Sequence, residues 1–404
     1  MAETNSAPDP GATATAPTVA PPERARLVGL DGIRGLAALF VMVHHCWLLS
    51  YPGYPANTGP AWTGWLLYGH LAVVVFIVLS GFSLAVSPAR HDWQLGGLAR
   101  FAHRRAWRIL PPYWAALAYS LLVAWLVIPQ PGTPEPTAKS VGIYGLLLQD
   151  VFGAPSPNGA FWSIAIEAQL YLAFPLLLLV VRRAGATAMV GAVTAVVVAV
   201  GLLAPVSSLV GLLMRLTPQF AALFALGLAA AGVLRAAQRT RRLPWHWLAL
   251  LTAVPPLALI VAKDSVWTVH HYFWVDLAFG PAVGCLLAAV ATGRPVPFVR
   301  FLDTRPIRSL GSFSYSLYLT HAPLVVLIHE RVVAPHMARG VPAFLTTLAL
   351  AAPVTILAAR SFAAFFELPF QRYRRWTPLR AAMRARVARL RTATRLAEAS
   401  VGEP

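Results

Sequence analysis

An arginine and a histidine eleven positions apart, Arg34 and His45, stand in a single apolar run from Leu30 to Leu49. Ionisable groups inside a bilayer are costly, so each one in such a run is a candidate for function. Eleven residues carry a helix through three turns plus about 20° and raise it by about 16 Å, which puts both side chains on one stripe. His44 points about 100° away. In that geometry the arginine holds an anionic or carbonyl group while the histidine, farther along, moves a proton. The same spacing equally suits an arginine reaching back to the membrane surface and a histidine hydrogen-bonded between helices.

Ser163, Glu167 and Tyr171 follow at i, i+4 and i+8, directly after Trp162, and so share one helix face. A carboxylate about seven residues into a span needs a partner. With the first span running outward and the fourth inward, His45 and Glu167 are expected at similar depth, where pairing would fix the imidazole tautomer. Between the second and third spans, Arg100, Arg104, Arg105 and Arg108 are interleaved with Phe101, His103 and Trp107 and followed by Pro111-Pro112. Such a cluster is either a solvated topology signal or a fixed face for phosphate groups. Gly81, between Ser80 and Phe82, allows close approach of backbone or ligand. Tyr315 and His321 lie in the ninth span, the histidine as a second polar group of a cavity or as a helix-packing hydrogen bonder. No metal is expected: adjacent histidines such as His44-His45 and His270-His271 point apart on a helix and carry no ligand spacing. Cys46 and Cys285 read as small buried residues.

These groups need a scaffold, and composition sets its kind. With 57% hydrophobic and 12% charged residues and a mean hydropathy of +0.62, 404 residues do not read as two or three soluble domains. Runs such as Leu170–Val181 are also too continuous for the alternating strands of an outer-membrane barrel. The fold class expected is all-α, a polytopic membrane protein of about ten transmembrane helices with both termini cytoplasmic. Spans are placed near 28–49, 66–87, 112–128, 160–181, 187–204, 218–234, 246–262, 272–292, 312–330 and 342–366. Of the 33 Lys and Arg, 26 fall in the tails and alternate connections and 5 in the others, with Arg34 and Arg360 inside spans. One missed or invented span in the middle of the chain would scramble that asymmetry.

Residues 1–27 form an Ala/Pro-rich tail expected to be disordered and cytoplasmic, with no cleavable signal. Residues 28–370 form the transmembrane domain, and 371–404 a basic tail with Leu379, Met383, Val387 and Leu390 at helical spacing, suited to lie on the inner leaflet. The net charge of +18 sits between apolar runs, so its partners are membrane lipids and anionic substrates, with no nucleic acid.

In order along the chain, Arg34…His45, Ser80-Gly81-Phe82, the arginine-rich segment ending Arg108-Ile109-Leu110-Pro111, Trp162-Ser163 with Glu167 and Tyr171, Ser314-Tyr315-Ser316-Leu317-Tyr318-Leu319 with His321, and Glu367-Leu368-Pro369 resemble the acyltransferase type 3 family. Its members are integral-membrane O-acyltransferases that act on bacterial surface sugars, peptidoglycan, nodulation factors and some macrolide antibiotics. The resemblance implies ten helices, His45 as the essential histidine with Arg34 as its companion, and Arg104, Arg105 and Arg108 in donor handling. It also implies acyl-CoA, usually acetyl-CoA, as co-substrate with no bound cofactor. The mechanism expected has neutral His45 as general base toward a hydroxyl of a carbohydrate or glycosylated acceptor and Glu167 stabilising the imidazolium. Ser80, Trp162, Ser163, Tyr171, Tyr315 and His321 are expected around the substrates. A covalent acyl-enzyme remains open, and no esterase-like extracellular domain of the kind some members carry is expected. The location implied is a bacterial plasma membrane, and 31 Arg against 2 Lys fits a GC-rich genome. The alternative is a transporter or flippase in which Arg34 and Glu167 bind and release an anionic cargo without chemistry.

Overall fold

A computed structural model describes residues 27–381 together with 384, 385 and 392. The tail up to residue 26, and Met383, Val387 and Leu390 of the amphipathic pattern, lie outside the described residues. Ten helices carry the fold: α1 (Leu30–Ser50), α2 (His70–Arg90), α3 (Leu98–Leu126), α4 (Trp162–Ala184), α5 (Ala186–Leu203), α6 (Gln219–Ala230), α7 (Trp245–Ala262), α8 (Tyr272–Ala291), α9 (Ser314–Ile328) and α10 (Val341–Phe362). No strand occurs among the described residues. Eight helical segments are each long and apolar enough to cross a membrane. Two bent helix pairs pass the same test when each is taken as one broken span: Ser208–Leu216 with Gln219–Leu234 at 50°, and Arg305–Ser312 with Ser314–Val333 at 76°. The chain is therefore a multi-pass membrane protein with eight such helices among the described residues, and ten spans, the number expected, when each bent pair counts as one.

Burial follows function. α5 and α7 present most of their surface outward, with 11% of each spanning window buried, against 61% for the segment containing α2. α2 is the central post, packed against α6, α8 and α1. Its contact with α6 is a backbone contact. A Cβ on Gly81 would lie 2.1 Å from the Phe224 carbonyl oxygen, and one on Gly227 would lie 1.9 Å from that of Val78. The approach that Gly81 permits is thus that of a neighbouring helix.

The start of α3 differs from the sequence reading, and two polar segments find partners deep in the bundle. The arginine cluster is no connection: α3 begins at Leu98 and runs unbroken through Pro111 and Pro112, because arginine and alanine favour helix though they fail a hydropathy window. Glu367 is buried at the end of the last span. Its carboxylate accepts from the Ser316 backbone N–H (3.2 Å) and hydroxyl (2.5 Å) and from Gln371 (2.9 Å), tying the end of the last span to the start of α9. The stretch 129–159 holds a short helix, Ala138–Gly145, opened by a Thr137/Ser140 capping box. It then folds inward: buried Asn158 donates to Ser120 Oγ (3.1 Å) and the Leu319 carbonyl (2.9 Å), and Gln149 donates to the Phe161 carbonyl (2.9 Å).

Asp150 sits in that inward fold, and burial pushes its carboxyl up to about 6 from 3.8. A carboxyl harder to ionise when folded contributes no penalty below the lower value and its full penalty above the higher one. Asp150→Asn is therefore expected to raise the melting temperature above about pH 7, with the gain vanishing as the pH falls toward about 4. A thermal-shift series across pH on wild type and variant measures it, and a gain independent of pH would contradict this burial.

Candidate active site

A cavity of about 180 Å³ opens between α1, α2, α3, α4 and α9. Arg34, Ser80, Arg105, Arg108, Ser163, Glu167, Tyr171 and Tyr315 all face it. At its centre the Glu167 carboxylate accepts from the hydroxyls of Ser80 (2.8 Å) and Tyr171 (2.5 Å), which are themselves 3.1 Å apart. Helical spacing supplies two of these groups, since Glu167 and Tyr171 are one turn apart on α4. Arg34 donates to Asp31 one turn below (2.8 Å) and to Ser83 on α2 (3.4 Å). The Arg105 guanidinium lies 5.9 Å from the centre of the Tyr171 ring, and its buried Nε has no partner among the described residues.

The cavity continues toward the arginine-rich end. A second space of about 250 Å³ shares Ser83, Leu84, Arg105 and Arg108 with the first and adds Arg104, Gln371 and Arg374. A third, of about 400 Å³, shares Arg104 and Arg374 and adds Arg100, His103, Tyr373 and Arg375. The three spaces thus adjoin one another through shared arginines, from the start of α3 to the middle of the bundle. Seven arginines, Arg34, Arg100, Arg104, Arg105, Arg108, Arg374 and Arg375, line the three spaces, and the carboxylate–hydroxyl cluster of Glu167, Ser80 and Tyr171 stands at the inner end.

His45 is not in that cavity's wall. Tyr318 closes the inner end, its hydroxyl 2.7 Å from Ser163 Oγ and its ring 5.5 Å from Phe76. Behind Tyr318 stands His321, ring centres 5.9 Å apart, and then His45, 4.8 Å from His321. His45 Nδ1 lies 2.8 Å from the Val41 carbonyl and 3.3 Å from His321 Nε2. The expected His45–Glu167 pairing is thus replaced by His45–His321. The cause is the inward fold of 146–161, which starts α4 deep in the bundle and sets Glu167 level with Ser80, halfway along α2, on the Arg34 side of Tyr318.

Two residues assigned to the substrates stand elsewhere. His321 is fully buried, and Trp162 stacks on His70 (5.5 Å) and Phe220 (5.9 Å). The His70 ring is held on its other face by Tyr272 (4.1 Å), and its Nε2 donates to buried Asp276 (2.9 Å), to which Gln219 also donates (3.3 Å). These hydrogen bonds clamp α2, α6 and α8 together. Their sequence signal was a carboxylate inside the apolar run 272–292, which by the cost of intramembrane charge needed a partner.

A family model described as "Acyltransferase domain" matches residues 27–360. Among curated relatives, a putative peptidoglycan O-acetyltransferase, YrhL of Bacillus subtilis, is 28% identical over 74% of this chain and 48% of its own length. The O-acetyltransferase OatA of Staphylococcus aureus is 25% identical over 75% of this chain and 51% of its own. The acyltransferase MdmB of Streptomyces mycarofaciens is 31% identical over 40% and 42%. The chain spans about half the length of the curated relatives it matches. No solved structure matches it.

Proposed function

Because the chain belongs to the acyltransferase type 3 family, we propose that it is a membrane O-acyltransferase that moves an acetyl group from acetyl-CoA to a hydroxyl of a carbohydrate or glycosylated acceptor in a bacterial plasma membrane. The observation that carries this reading is the row of arginine-lined spaces that ends one aromatic ring short of the His321–His45 pair. Peptidoglycan, on which YrhL is named to act, is one acceptor of this class.

In this reading the arginine end faces the cytoplasm, as the charge asymmetry favours. The coenzyme A phosphates lie against Arg104, Arg105 and Arg108, whose planar forks suit phosphate oxygens. The pantetheine arm runs past Arg34 toward Tyr318, and the Phe76–Tyr318 contact parts for the thioester to reach His45. His45 takes the acceptor hydroxyl's proton as that oxygen bonds to the thioester carbonyl carbon. The carbon–sulfur bond then breaks, and the same proton passes to the departing thiolate. Glu167, held by Ser80 and Tyr171, acts on the donor side of Tyr318 as the one carboxylate of a basic cavity.

The test uses the purified full-length protein with acetyl-labelled acetyl-CoA and a cell-envelope glycan extract. Labelled ester and free coenzyme A thiol are expected together. Arg105→Ala and Arg108→Ala should each raise KM for acetyl-CoA about 10-fold or more, the worth of one charge-assisted hydrogen bond, with kcat largely kept. A carrier would release no thiol, and that outcome with every acyl-CoA tried overturns the reading.

A further inference from the structure

His321 is fully buried, whereas His45 beside it is partly accessible, so of the two imidazoles His45 is the one a substrate can reach. The hydrogen bonds of His321 are nevertheless specific. Nδ1 lies 2.9 Å from the Tyr318 carbonyl and 3.1 Å from that of Leu317. Its Nε2 lies 3.3 Å from His45 Nδ1, which is also 2.8 Å from the Val41 carbonyl.

A carbonyl oxygen only accepts, so a ring nitrogen facing one carries the hydrogen. Both histidines therefore hold their proton on Nδ1. In a neutral ring the other nitrogen is then a bare lone pair. With this pair of tautomers all four contacts are satisfied: His45 Nδ1–H donates to Val41 and to the His321 lone pair, and His321 Nδ1–H donates to Leu317 and Tyr318. The reverse arrangement, His321 Nε2–H donating to His45 Nδ1, loses the other three contacts.

We propose that His321 is a positioning residue for His45. Anchored by its own helix, it accepts from His45 Nδ1–H and so leaves His45 Nε2 unprotonated as the base. The proposal rests on the reading of His45 as general base and adds how that base is held. In the familiar serine-hydrolase arrangement a carboxylate occupies this place. Here the partner is a neutral imidazole, and Glu167 is engaged with Ser80 and Tyr171 beyond Tyr318. A carboxylate would build an ion pair among apolar helices and tend to keep the base charged, whereas a neutral lone pair orients the ring without that charge. During turnover His45 Nε2 takes the hydroxyl proton, the imidazolium leans on the His321 lone pair through Nδ1–H, and the proton leaves again from Nε2 to the thiolate. His321 exchanges none.

The decisive measurement is nitrogen-15 NMR of histidine-labelled full-length protein in lipid nanodiscs, with the His45 signals identified by their loss in His45→Gln. A protonated Nδ1 and bare Nε2 are expected for His45 in wild type. In parallel, His321→Phe should lower kcat about 10–100-fold, the cost typical of removing the outer hydrogen-bond partner that orients a metal-ligating histidine, with KM for acetyl-CoA unchanged. His321→Gln, whose amide oxygen can stand near the lost Nε2, should recover part of the loss. A protonated Nε2 on wild-type His45, or His321→Phe turning over at the wild-type rate, overturns the proposal. Should His321→Phe fail to fold, the wild-type tautomer alone decides. Activity retained in His45→Ala would instead remove the base itself, so the two readings fail by different results.

Discussion

His45→Ala is expected to reduce acetyl transfer by about 10²–10⁴-fold, the contribution of a positioned general base, while coenzyme A still binds. The two halves of this outcome come from the geometry. The arginines that take the donor's phosphates lie on the far side of Tyr318 from His45, so donor affinity measured calorimetrically with coenzyme A should stay within about 3-fold, under 1 kcal/mol. His45 is partly accessible, so alanine there removes less packed surface than alanine at the buried His44 does. His44 is the informative contrast. Its Nδ1 donates to the Leu66 carbonyl at 2.7 Å, and its ring fills the space over Gly69, where a Cβ would come within 2.2 Å of it. His44→Ala should therefore lower the melting temperature more than His45→Ala does, with less effect on kcat of the surviving protein. Product formation by mass spectrometry together with thermal shift separates the two. Turnover by His45→Ala within about 3-fold of wild type would remove the imidazole from the mechanism.

The contrast between neighbouring histidines shows what the amino-acid pattern could carry. Ten spans were legible because two independent properties, apolar length and alternating basic charge, act over whole segments and tolerate errors of a few residues. The gathering of Arg34, Ser80, Glu167, Tyr171 and the α3 arginines around one cavity was legible as candidates because each is polar where polarity is costly. Depth was not legible. Placing Glu167 opposite His45 assumed that α4 starts at the membrane surface, whereas Asn158 and Gln149 draw the preceding stretch into the bundle through bonds to Leu319, Ser120 and Phe161. Those contacts span up to 161 positions and leave no periodic trace. The His45–His321 pair, 276 positions apart, and the His70–Asp276 pair, 206 apart, escaped for the same reason. The start of α3 was misplaced because hydropathy measures transfer to lipid, and an arginine-rich turn can be helical without entering it.

The second large effect concerns the post on which the site is built. Between helices in lipid no hydrophobic force favours contact, so association depends on close packing, which small residues permit. Gly227→Val would place a Cβ 1.9 Å from the Val78 carbonyl oxygen, far inside van der Waals contact, with two methyl groups beyond it. Both atoms belong to rigid helices, so α2 and α6 must separate by about 1 Å or more along the seam. The expected destabilisation is about 3 kcal/mol or more, at the upper end of overpacking effects. It should appear as loss of monodisperse protein on heating, since such unfolding is irreversible. Activity should fall with it, because Ser80 precedes Gly81 on the displaced face and its 2.8 Å bond to Glu167 cannot survive an ångström of movement. Gly191→Ala on α5, where nothing lies within 4 Å, is the control and should be neutral or gain about 0.5–1 kcal/mol from helix propensity. If Gly227→Val melts and turns over like wild type, α2 and α6 do not meet backbone to backbone, and the alignment of Ser80 with Glu167 that depends on their contact is lost with it.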